Sequence, residues 1–183
     1  MRRFQNQACH SILAGLALCV VGSGLGGCQS SNTGDGGARM EAFVDLMIPR
    51  RIEIQKYLTR PLDVEGGGRA DTIEIILAAY DSFGHGIKTT GAFQFELSDM
   101  RMASGDKVGR RRAYWRVEID DAAAVATHWD HLSRFFKFEL ALPDGELAPG
   151  QYILDARLQT PTGEMLFDQY TLVYRSEAQV GGG

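Results

Sequence analysis

The chain has 183 residues, with 23 acidic against 19 basic side chains and a formal charge of −4 at pH 7. That balance argues against general nucleic-acid binding, which depends on neutralising phosphates, and against adsorption to anionic lipid by overall charge. Apolar residues make up 44% of the chain, enough for one domain with a sizeable core.

The N-terminus reads as a signal. Met1-Arg2-Arg3 is basic, and Ala8 to Val21 is mostly apolar. That run of about 14 residues has the length of a signal core, whereas a bilayer-spanning helix needs about 20. Gly22 to Gly27 then supplies small, flexible residues before Cys28, as a peptidase site requires. Arg2-Arg3-Phe4 does not have the spacing of a twin-arginine signal, so ordinary export is expected.

Leu25-Gly26-Gly27-Cys28 resembles the lipobox of bacterial lipoproteins. Leu25 fits the third position before the cut and Gly27 the small residue at the cut. Gly26 departs mildly from the commoner Ala, Ser or Thr. Leu18 before Cys19 is too large for the residue at a cut, which leaves Cys28 as the modified position. The resemblance implies cleavage between Gly27 and Cys28, diacylglycerol on the Cys28 thiol and further acylation with a chain such as palmitate. Two or three chains hold a protein firmly where one holds it only marginally. Gln29, where an Asp would resemble an inner-membrane retention signal, implies the outer membrane. The implied partner is therefore the lipid bilayer. Cys9 and Cys19 leave with the signal, so no disulfide is expected and the core alone must stabilise the domain.

The expected organisation is a removed signal at 1–27, an acylated flexible tether at 28–39, a β-domain at 40–176 and a disordered tail at 177–183. Met40 to Met47 is ambiguous between a short helix and an edge strand, ended by Pro49. Beyond it the dominant period is two. Apolar residues alternate with polar ones at Ile52-Ile54-Leu58, Ile73-Ile75-Leu77-Ala79, Phe93-Phe95-Leu97 and Trp115-Val117-Ile119. They alternate again at Phe136-Phe138-Leu140-Leu142 and Tyr152-Leu154-Ala156-Leu158. Such alternation marks strands with one buried face. Met165 to Tyr174 is apolar on both parities, which predicts a bulge near Asp168-Gln169 or a more buried strand.

Turn chemistry at Asp81–Gly86, Pro143-Asp144-Gly145 and Thr160–Gly163 separates these runs. The expectation is an all-β fold: an antiparallel two-sheet sandwich of about seven strands, immunoglobulin- or fibronectin-like. A small closed barrel is the alternative. Met100 to Arg112 reads as a long basic loop. A short helix is expected near 121–131, with Asp120 or Asp121 as N-cap.

Chemistry-bearing candidates are few. His128, Asp130 and His131, with His85 from another loop, could offer metal ligands. The plainer expectation is no metal: Trp129 covers the end of the sandwich and both histidines meet water. Trp129 and Tyr114, with Trp115 and Tyr152, are candidates for stacking on a glycan, although Trp115 shares the buried parity. Arg110-Arg111-Arg112 reads as a solvated segment, and Asp120-Asp121 as a cap rather than a calcium loop. Hydrolase, zincin and phosphate-loop motifs are absent from the sequence, so no enzyme and no cofactor is expected. The functional expectation is a non-catalytic envelope module that binds a protein, with a glycan as the second choice.

Overall fold

The structure, a computed structural model of the chain, describes residues 35–102, 105 and 107–175. Gly27, Cys28 and the segment expected as a tail at 177–183 lie outside the described residues. A helix, α1 (Asp35–Met47), comes first, followed by β1 (Arg51–Ile54), β2 (Arg60–Leu62) and β3 (Thr72–Tyr80). Then come β4 (Gly91–Met100), β5 (Val108–Ile119), α2 (Ala122–His128), β6 (Trp129–Asp130), β7 (Phe135–Ala141), β8 (Gly150–Gln159) and β9 (Met165–Tyr174).

One sheet runs β1-β3-β7-β6, with β2 sharing the β1 edge of β3; the other runs β5-β4-β8-β9. Every pairing is antiparallel. The chain changes sheet after β3, after β5 and after β7. With β1 and β2 taken together as strand A, this is the immunoglobulin order A-B-E-D facing C′-C-F-G. The two sheets are separate layers rather than a closed barrel.

All seven strand-like runs map at least in part onto strands, and in most of them the alternation decides which face is buried. Phe93 and Phe95 of β4 and Phe136 and Phe138 of β7 are fully buried. They meet between the layers, with ring centroids 5.2 Å apart for Phe93–Phe136, 5.1 Å for Phe93–Phe138 and 4.8 Å for Phe95–Phe138. Trp129 meets Phe136 edge-on at 5.0 Å and closes one end of the cluster. Tilted and edge-on rings at these distances add to what their buried area contributes.

Polar groups close the flanks. Asp168 of β9 accepts the Ile54 amide of β1 at 2.8 Å, and the Tyr174 hydroxyl accepts the Ala70 amide at 3.0 Å. At the start of β8 the Tyr152 hydroxyl donates to the Ala148 carbonyl at 2.6 Å. This is the tyrosine corner of immunoglobulin-like sandwiches, in which a Tyr early in strand F bonds back to the backbone just upstream. Two residues on, where antibody domains carry a cysteine, stands the fully buried Leu154. Burial pushes the Tyr152 phenol above its ordinary pKa, so it stays a donor at neutral pH.

Several details differ from expectation. The first run does not reach Leu58, because a turn interrupts the edge after Ile54. There the Leu58 and Thr59 amides bond to the Gln55 carbonyl at 3.0 and 2.9 Å, and Leu58 is exposed. No bulge breaks β9, which pairs with β8 in continuous register from Met165 to Gln159 through Tyr174 to Gly150. Asp168 sits on the inward parity because its carboxylate serves β1. The register shifts instead in β4–β5, on either side of Ser98. The basic segment is shorter than expected, since Arg110, Arg111 and Arg112 belong to β5. Met40 to Met47 is helical, and the helix reaches back to Asp35, into residues expected as tether.

Replacing Tyr152 by Phe removes one buried hydrogen bond and leaves the ring in place. Stability should fall by about 1 kcal/mol, read as a lower urea midpoint at unchanged slope. An unchanged midpoint would show that the Ala148 carbonyl finds another donor.

Candidate functional site

The histidine-bearing segment is built by a cap, a helix and a hairpin. Asp121 is the N-cap of α2 and accepts the Ala124 amide at 2.7 Å, which assigns its carboxylate to the helix end. The helix stops where Trp129 enters β6. Asp130 then shapes the β6–β7 turn, accepting the Leu132 and Ser133 amides at 3.0 and 3.3 Å. Its carboxyl is held below the usual aspartate range, first by Ser133 and next by the Leu132 amide. The turn closes through Arg134, whose φ of 62° is left-handed.

His128 is half-exposed rather than free in water. Its ring stacks on Phe138 at 5.0 Å, and Nδ1 lies 3.2 Å from the Lys137 carbonyl. His131 is exposed in the turn. His85 is on the β3–β4 connection, 3.6 Å from Asp81. Asp81 itself accepts the His85 and Phe83 amides at 2.8 and 2.9 Å, and these bonds hold its carboxyl below the usual range. Among the described residues no group of three or more His, Cys, Asp or Glu side chains is arranged to hold a metal ion. His85, His128, Asp130 and His131 are thus not brought together.

The aromatic candidates are mostly absorbed by packing. Trp129 and Tyr152 are buried. Trp115 is half-buried and donates from Nε1 to the Ala141 carbonyl of β7 at 2.8 Å, so it ties the β5 edge to the opposite sheet. Tyr114 is exposed on the outer face of the β5 sheet. These four rings form no line of open faces. The arginines of β5 are exposed; Arg112 pairs with Asp99 at 2.7 Å, and Arg111 comes within 3.9 Å of Glu96.

A feature that the sequence did not signal lies on the outer face of the β1–β3–β7 sheet. A cleft of about 400 Å³ opens there between Tyr57, Leu58, Arg60, Glu74, Ile76 and Lys137. Glu74 is buried at its floor. One carboxylate oxygen accepts from Arg60 Nε at 3.3 Å, and the other from Lys137 Nζ at 2.8 Å. Lys137 is pushed up to about 12 by Glu139, which it also meets at 2.8 Å, and by Glu74. Both oxygens of Glu74 are engaged, so the cluster holds strand to strand and offers no spare proton carrier. Register gives the same answer: Arg60 and Glu139 are the residues opposite Glu74 on β2 and β7.

Lys137→Met leaves the buried carboxylate with Arg60 alone. It should cost about 1–2 kcal/mol, less than for a fully enclosed pair because Lys137 and Arg60 remain partly solvated. Combining it with Glu74→Met should recover most of that loss in the urea midpoint. A double variant no more stable than Lys137→Met would mean that the charges contribute nothing through each other.

Comparison of the chain with protein-family models, with curated proteins and with solved structures finds no match in any of the three, so its site is argued from its own residues.

Proposed function

We propose that this chain is an exported bacterial lipoprotein, probed for partners at the envelope by a non-catalytic sandwich domain. Acyl chains on Cys28 hold it at the membrane, and the outer membrane is the proposed site. The observation that carries this reading is Leu25-Gly26-Gly27-Cys28 closing a basic and then apolar N-terminus. The sandwich adds support for a binding role. Its β5 strand has 12 residues and pairs with β4 alone among the described strands. That is about twice the usual strand length. An open edge of this kind presents backbone donors and acceptors that another strand can take up.

The side chains along β5 indicate which strand fits. Arg110, Arg111, Arg112 and Arg116 are exposed there, the last three also paired with Glu96, Asp99 and Glu118. An acidic strand from an envelope protein can meet Arg110 and compete for the paired arginines, which a second copy of the same edge cannot do. The reading is therefore of a tethered domain that docks an acidic partner segment by strand addition.

Two experiments test this. Cys28→Ser should abolish incorporation of labelled palmitate and leave the precursor uncut; continued labelling would sink the anchor. Photocrosslinkers placed at Tyr114 and at Arg116 should capture an envelope protein that one placed at Leu132, on the β6–β7 turn, does not. Equal capture from all three positions would remove β5 as the docking edge.

A further inference from the structure

From the placement of α1 we infer that this helix is a second membrane contact, lying flat in the lipid headgroup region beside the acyl anchor. The inference rests on the anchor at Cys28 and adds a surface that binds lipid directly.

The helix leaves its apolar side chains exposed rather than packed on the sandwich core. Met40, Phe43, Val44 and Met47 recur at the spacing of one helical face. Met40 is 62% exposed, Phe43 55% and Met47 59%. The opposite side is no more enclosed: Glu41, Val44 and Asp45 border an open cleft with Arg50 and Thr162, Asp45 is itself 62% exposed, and Arg50 bridges Asp45 to Glu164 of the β8–β9 turn at 3.1 Å from the latter. A soluble helix normally buries its apolar stripe on the core and exposes its charges. Here an ion pair steadies the helix and the apolar stripe is left exposed, with only Val44 and Met47 bordering clefts beside the sandwich, an arrangement that suits an apolar solvent.

Position in the chain selects the bilayer as that solvent. Seven residue steps separate Cys28 from Asp35. Covalent geometry lets them span at most about 25 Å. A helix held that close to a surface meets it at high effective concentration, so a small apolar face suffices. With 13 residues, α1 is about 20 Å long. Among the described residues no helix is long and apolar enough to cross a membrane, so α1 rests on the bilayer rather than spanning it. The helix lacks the Lys- and Arg-rich face that draws many interfacial helices to anionic lipid. Zwitterionic headgroups are therefore its partner.

The test uses the full chain as isolated from membranes, carrying Phe43→Trp, in phosphatidylcholine vesicles whose acyl chains bear bromine near the headgroup. The emission of Trp115 and Trp129 is subtracted with the unsubstituted chain. The added emission should be quenched roughly twofold by the brominated lipid, as expected for a side chain seated within the outer 5–10 Å of the bilayer. Adding Met40→Asp and Met47→Asp should remove the quenching and leave the unfolding midpoint of the sandwich unchanged. Co-flotation with vesicles and the mass of Cys28 are read in parallel. Flotation without quenching overturns the inference and leaves the anchor standing. Failure to float overturns both. Quenching by a chain whose Cys28 is bare overturns the anchor and upholds the helix.

Discussion

Four phenylalanines hold the two layers in one arrangement. Phe93 and Phe95 point inward from β4, Phe136 and Phe138 from β7, and all four are fully buried. Because β4 is central in one sheet and β7 in the other, their interlocking rings fix how far apart the sheets stand and how they are offset. Where an antibody domain links its sheets through sulfur, this core has Leu154 and ring packing. Shape complementarity has to supply the specificity that a covalent link would otherwise lend.

Around that centre, polar side chains finish the edges. Asp168 caps an amide of β1, Tyr174 an amide before β3, and Trp115 reaches a carbonyl of β7. Each joins one sheet to the other at a place where strands diverge and backbone groups lack ladder partners. Glu74 does similar work on an outer face, gathering Arg60 from β2 and Lys137 from β7. The charged cluster gathered on Glu74 is thus a fastening. Among the described residues, the long β5 edge and the apolar side of α1 are left open.

Much of the sandwich was legible because inward and outward residues alternate so strictly. The two strands that escaped notice are too short for a period to show. β2 has three residues with Pro61 in the middle, and β6 has two. Asp168 was misread because a carboxylate on the inward parity of a strand suggests a shift in register. Its actual partner, the Ile54 amide, lies more than a hundred residues away in sequence. α1 extended further than expected because Gly36 and Gly37 read as linker, while Ala38 to Met47 is rich in good helix formers. The tyrosine corner was missed although Tyr152 was noticed, since it takes the fold to show that its hydroxyl meets Ala148. The candidate site divides in the same way. Local signals such as the Asp121 cap could be read directly. Assembly of His85 with His128 and His131 required knowing which loops share an end of the sandwich, and they do not converge.

The turn at Gln55–Thr59 splits the first edge into two short strands, and this has a mechanical consequence. Tension drawn through the N-terminal side first loads the bonds of Arg50 to Tyr80 and Glu164, then the four residue pairs of β1 together with Asp168. The turn then pays out slack before any load reaches β2, which remains clamped to β3 at Arg60–Leu62. A domain pulled from its N-terminal side would yield first at this expendable strip and keep its aromatic interior intact.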